Sequence, residues 1–226
     1  MNFNIYGKEM NNKKITFWLI LFTALFFSAE LSYSQVNFWN PTSGPTGVEV
    51  WSIAVSSTGT LWAGTSSGVY TSTNNGDLWT AKNTGFTEDI IGVGGQTGGI
   101  SLTIRTIAIK NSNNYLFAGC DSGLFRSTDN GQNWVKVLPD KKIRAIVINS
   151  AGTIFVGIEG ISSDAGIYVS SDNGIAWVQK NEGLWNLFVR SLAIMGNGTI
   201  LAGTSGSGVF RSTDNGENWL LRSEEH

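Results

Sequence analysis

The chain has 226 residues, of which 14% are charged, with 28 glycines, 3 prolines, 9 tryptophans and 12 phenylalanines. This composition suits many short, aromatic-rich strands joined by tight turns and leaves no helical domain to be found. The 15 basic and 17 acidic residues fall to 12 and 15 once the first 34 residues are set aside, so no charge excess calls for a nucleic-acid or anionic-membrane partner.

Residues 1–34 read as a signal peptide. Lys13 and Lys14 form a basic n-region, Ile15 to Phe27 is an apolar stretch of 13 residues, and Ser32 and Ser34 place small side chains before Gln35. A bilayer crossing needs about 20 apolar residues, so no membrane span is expected after cleavage. No cysteine directly follows the stretch, which argues against a lipid anchor, and the mature chain is expected to be exported to the periplasm, cell surface or medium.

Residues 35–47 contain Trp39 to Gly44, which line up with Trp79 to Gly85 and Trp177 to Gly183. They predict an orphan fourth strand without the unit it belongs to. Four units follow at 48–84, 104–139, 140–183 and 184–222, with a long connection at 85–103 between the first two. Each opens on a first strand (Trp51–Val55, Arg105–Ile109, Arg144–Ile148, Arg190–Ile194) and a Gly/Asn/Ser turn. A second strand then ends in glycine (Leu61–Gly64, Leu116–Gly119, Ile154–Gly157, Ile200–Gly203), and a third begins at Val69, Leu124, Ile167 or Val209.

The third strand of every unit runs into one octapeptide: Ser72 to Trp79, Ser127 to Trp134, Ser170 to Trp177 and Ser212 to Trp219. Its glycines, Gly76, Gly131, Gly174 and Gly216, are 55, 43 and 42 residues apart, a period that fits four-stranded propeller blades. In the pattern S-x-D-x-G-x-x-W the Ser and Asp oxygens accept backbone N–H bonds within a turn, and the glycine supplies a positive φ. The tryptophan (Trp79, Trp134, Trp177, Trp219) then returns to pack between sheets; burying about 200 Å² of it contributes at most about 4–5 kcal/mol. Asn74 stands where the other copies have Asp129, Asp172 and Asp214, which keeps the turn bond and removes the charge. The octapeptide therefore reads as a structural staple and not as a set of acids or metal ligands.

The octapeptide resembles the Asp-box, or BNR repeat, and the likeness covers almost the whole of 35–226. The repeat is found in sialidases, xyloglucanase-like glycoside hydrolases, the sortilin ectodomain and the photosystem II stability/assembly factor family; Gly59 to Thr65 with Gly68–Tyr70 also looks like the sensor propellers of bacterial two-component regulators. The resemblance implies an all-β fold, a β-propeller of four-stranded Asp-box blades, and leaves the activity open. The orphan strand and the fourth strand beginning at Trp219 compete for one place, so an incomplete ring is expected. Residues 223–226 break the repeat pattern and read as a non-native tail.

The lone cysteine, Cys120, excludes an intramolecular disulfide and takes a small wall position in the repeat, and the lone histidine, His226, is the last residue. No histidine-based triad or metal site is expected in the body of the fold, and no cofactor. The octapeptide joins third to fourth strands, so the second-to-third loops and the connections between units share the opposite face, the candidate binding face. Arg105, Arg144 and Arg190 open three first strands, with Trp51 at the same position in the first unit; they form either a cationic rim for carboxylate or sulfate groups or pairs with neighbouring acids. Glu159, Asp164 and Trp185 lie on the same face, as do Glu88, Asp89, Asp121 and Glu182, with Phe86 as a second aromatic platform.

The sialidase resemblance stops at the octapeptide, because no Arg-Ile-Pro occurs and no tyrosine has a catalytic setting. A xyloglucanase-like hydrolase needs two carboxylates across a cleft, and no pair here stands out by spacing. The reading is an exported, non-catalytic propeller that binds a protein or glycan. The alternative is a glycoside hydrolase with part of its site in missing blades.

Overall fold

The computed structural model describes residues 44–86 and 102–222, all within one compact unit, Pro41–His226. The expected signal peptide 1–34, most of the expected orphan strand 35–47, residues 87–101 of the long connection and residues 223–226 lie outside the described residues. Glycine and turn residues cut the apolar runs into four sheets of four strands. The first holds β1 (Val50–Val55), β2 (Leu61–Thr65), β3 (Gly68–Ser72) and β4 (Thr80–Ala81), and the second β5 (Thr106–Lys110), β6 (Tyr115–Gly119), β7 (Gly123–Ser127) and β8 (Val135–Pro139). The third holds β9 (Ile143–Ile148), β10 (Ile154–Ile158), β11 (Gly166–Ser170) and β12 (Val178–Gln179), and the fourth β13 (Val189–Ile194), β14 (Ile200–Thr204), β15 (Val209–Ser212) and β16 (Leu220–Leu221).

Every sheet is an antiparallel meander in sequence order, and the register repeats. Ile53, Ala63, Tyr70 and Ala81 form one cross-strand row, matched by Ile107, Ala118, Phe125 and Lys136 in the second sheet and by Ile146, Val156, Tyr168 and Gln179 in the third. Successive sheets meet through their innermost strands, β1 with β5, β5 with β9 and β9 with β13. No comparable contact joins β13 to β1 among the described residues, so the ring is open.

Each junction has its own apolar cluster. Trp62, Val69, Ile107 and Trp134 belong to the first, Phe117, Leu124, Ile146 and Val156 to the second, and Phe155, Ile167, Ala202 and Trp219 to the third. The second strands β6 and β10 lie between two neighbouring sheets, which is why their sequences are continuous apolar runs and not alternating ones. In β10, for example, Ile154 and Val156 face back to the second sheet while Phe155 faces forward to the fourth.

Two glycines per sheet set these junctions. A Cβ on the second-strand Gly64, Gly119 or Gly157 would come within 2.4–2.8 Å of Ile104, Ile143 or Val189 at the entry of the next first strand. The glycine leaves a notch that the next sheet fills. The octapeptide glycine meets the preceding sheet in turn: a Cβ on Gly131 would lie 2.7 Å from the Trp62 ring, and one on Gly174 would lie 3.1 Å from Phe117. Gly131 and Gly174 also have φ of 74° and 79°, so turn and packing both demand glycine there.

Phe86 corrects an expectation. It is buried, stacked on Trp134 at 5.1 Å and edge-on to Phe125 at 4.8 Å, so it belongs to the first junction and offers no platform to a ligand. Gly85 (φ 100°), packed against the Trp134 backbone, turns the chain inward just before it.

Candidate functional site

The octapeptide has one geometry in four copies. The serine Oγ accepts the glycine N–H at 2.8–3.0 Å in each and donates to Oδ1 of Asn74, Asp129, Asp172 or Asp214 at 2.7–2.9 Å. The same Oδ1 accepts the N–H four residues on, from Leu78, Asn133, Ala176 or Asn218. Asn133 and Asn218 also donate their side-chain amides to the second oxygens of Asp129 and Asp214. Those side-chain and backbone donors hold Asp129 and Asp214 down at about 2, and the Ala176 N–H followed by Ser170 lowers Asp172 as well. These carboxylates are anchored acceptors with no proton to give near neutrality.

The opposite face carries the candidate site. A cleft of about 440 Å³ is bounded by the β8–β9 connection (Asp140, Lys141, Lys142), the β10–β11 loop (Glu159 to Ala165) and Phe188. Repeat register brings the charges together there. Asp121 and Glu159 stand two residues beyond the second-strand glycines of their sheets, and Arg144 and Arg190 open the following first strands. Asp121 accepts from Arg144 at 2.5 Å, Glu159 meets Arg190 at 3.3 Å, and Glu159 also accepts from Arg144. Burial works against the charged Arg144 guanidinium, but the bonds it donates to Glu159 and Asp121 more than reverse this and leave its pKa above the ordinary value.

Lys141 donates to Asp164 at 2.5 Å and, together with the Ser162 hydroxyl, lowers that carboxyl. Arg105 lies apart from this network: its guanidinium stacks on the Trp51 ring at 4.2 Å, and its buried Nε has no hydrogen-bond partner. Trp185 is exposed and sits edge-on to Phe210 at 5.4 Å, with Ile161 exposed at the tip of the β10–β11 loop. Arg144, Arg190, Glu159 and Asp121 thus converge, Asp164 joins the cleft through Lys141, and Glu88 and Asp89 lie outside the described residues.

Sequence reasoning missed a second concavity, on the octapeptide face between the first two sheets. About 390 Å³ in volume, it is lined by hydroxyls of Ser56, Thr58, Thr60 and Thr73 with Lys82 and Asn130. The recurring threonines were visible, but the groove is shared between residues of two sheets, and their juxtaposition depends on how the sheets pack. Among the described residues no cluster of acids, histidines and cysteines could hold a metal, and no helix is long and apolar enough to cross a membrane.

Four meander sheets, joined by their inner strands and arrayed around an open ring, decide the architecture. The fold is a β-propeller. Among solved structures, the chain is similar to an ancestral GH74 enzyme (22% identity, TM-score 0.60, 83% of this chain and 25% of that one). It is also similar to the extracellular domain of the one component system BT4673 from B. thetaiotaomicron (14%, 0.57, 72% and 21%) and to YCF48 from Cyanidioschyzon merolae (16%, 0.56, 83% and 61%). At these identities the likeness establishes the propeller alone. The chain spans a quarter or less of the first two relatives and 61% of YCF48. No protein-family model and no curated protein matches it.

Proposed function

We propose that this chain is an exported, non-catalytic propeller module of the Asp-box kind that binds a protein or glycan partner in the cleft of the third blade. The observation that carries the reading is the state of the carboxylates there. Glu159 is held by two arginines, Asp121 by one and Asp164 by a lysine, and the Asp164 pKa is lowered. A glycosidase acid needs a carboxyl whose pKa is raised, opposite a second, free carboxylate. Of the carboxylates lining the described cleft, Glu159 and Asp164 are each held by a cation, which leaves Asp140 without a second free carboxylate opposite it. The cleft offers fixed charges, the apolar ring of Phe188 and an exposed Ile161, which are means of recognition. Export rests on the leader 1–34 and agrees with a neighbour that is itself an extracellular domain.

The reading is tested by passing the protein over immobilised xyloglucan and sialylated glycans while assaying reducing ends. The expected result is retention without turnover, weakened at least about tenfold by Phe188→Ala or Lys141→Ala, since each removes one anchor of a small site. Release of reducing ends would restore the hydrolase alternative.

A further inference from the structure

The three junctions between blades share a design, and the first departs from it at matching positions on the octapeptide face. At the second junction long side chains fill this region. Lys110 and Asn113 donate to the Asn173 side chain at 2.5 and 3.3 Å, and Arg126, which lies over the Tyr115 ring, donates to the Asn173 carbonyl at 2.8 Å. At the third junction Asn149 reaches Asn215, the counterpart of Asn173. Asn130 is the same residue of the second blade, with the same left-handed backbone (φ 56°), yet its side chain has no partner among the described residues. Ser56, Thr60 and Thr71 stand where the next blade has Lys110, Tyr115 and Arg126. Three long side chains have become three short hydroxyls, and the groove of about 390 Å³ that they line with Asn130 opens in their place.

Two donors of this groove are left without acceptors. Trp62 stands where the next two blades have Phe117 and Phe155; it is 4% exposed, lines the groove, and its indole N–H finds no acceptor among the described residues. A buried N–H without a partner is costly, so this exchange calls for an acceptor that the protein does not supply. Lys82 repeats Lys180, which pairs with Glu217 at 2.5 Å, but Gln132 stands at the place of that glutamate and Lys82 forms no ion pair among the described residues. A second hollow of about 290 Å³ shares Thr71, Thr73 and Lys82 with the groove and extends from them to Asn74 and Thr80.

We propose that this groove binds an acidic oligosaccharide, a chain of uronic-acid units, with a carboxylate on Lys82 and sugar oxygens on the Trp62 N–H, Asn130 and the threonines. Threonine and asparagine side chains both donate and accept, as sugar hydroxyls do, and an apolar or purely anionic ligand would leave them unmatched. The single uncompensated lysine selects a ligand with a negative charge among its hydroxyls. The groove falls within the volume of small-ligand sites, about 300–1,000 Å³, and two hollows that meet at Lys82 suit a chain better than a lone unit. The site is on the face opposite the third-blade cleft and does not depend on what that cleft binds.

The test is two-dimensional proton–nitrogen NMR of the full chain, titrated with trimers of galacturonic or mannuronic acid. The Trp62 indole signal is identified by its loss in Trp62→Phe, the residue found at this place in the next two blades. The expected result is a saturable shift of that signal with at least one trimer. Lys82→Met, or methyl esterification of the trimer, should weaken binding at least about tenfold, since each removes a charged hydrogen bond. Ser56→Lys combined with Thr71→Arg rebuilds the filled second junction in the first, and it should abolish the shift with circular dichroism unchanged. Both substitutions add positive charge, so a loss reports the filling of the groove and not a missing cation. No saturable shift with either trimer overturns the proposal. So does equal affinity for the esterified trimer or for acetate, or binding that persists in the filled variant, which would place the ligand elsewhere on the protein.

Discussion

Asn74 and Leu78 occur together in the first octapeptide, whereas Asp129 and Asp214 are accompanied by Asn133 and Asn218. A carboxylate can accept both the backbone N–H and the side-chain amide of the residue four places on, while an asparagine would turn its own amide towards that donor. Leu78 brings no such donor, so Asn74 satisfies its turn with one oxygen. Asp129→Asn should therefore lower the unfolding midpoint more than Asp172→Asn, whose neighbour Ala176 offers only its backbone. The acid limb separates charge from geometry. The folded pKa values of Asp129 and Asp214 are depressed to about 2, below the ordinary 3.8, so their contribution is complete above about pH 4 and lost as the pH falls towards 2. Thermal melts between pH 5 and 2 should show a shallower loss for Asp129→Asn than for wild type and a steeper one for Asn74→Asp; parallel curves would mean that the carboxylates are not anchored in solution as they are here.

The fourth strands are short, and the segments after them differ between blades. After Trp79 and Trp177 the chain runs through Lys-Asn-x-Gly: Asn83 and Asn181 accept the N–H groups of Val69 and Ile167, and the next tryptophan donates its indole to the Lys82 or Lys180 carbonyl. After Trp134 the chain instead continues as the five-residue β8 with a bulge, and the Trp177 indole finds no partner. Trp134→Phe should cost about 1 kcal/mol more than Trp177→Phe, the worth of one hydrogen bond in a buried setting, measured by urea unfolding; equal costs would show that the indoles act through volume alone. The four-stranded sheets and their turns were legible in the sequence because they depend on local punctuation, glycine and the octapeptide, repeated four times. The site was legible only in part. Arg144 and Arg190 stood out by recurrence, but their partners Asp121 and Glu159 come from preceding second-strand ends, and recognising them required the register between sheets. Phe86 was misread because its place in a long connection hid the inward turn at Gly85.

Across the whole molecule, stability is expected to be a sum of blade terms and junction terms, as in other repeat arrays. The second and third blades have a neighbour on both sides, and their innermost strands β5 and β9 are largely covered; β1 and β13 expose alternate residues on the side that no described blade covers. Native-state hydrogen exchange should therefore be graded at low protein concentration, with amides of β10 and β6 slowest and those of β2 and β14 at least about tenfold faster, because loss of one terminal junction opens a terminal blade without disturbing the centre. Uniform exchange across the four blades would instead replace the sum of junctions with a single cooperative unit.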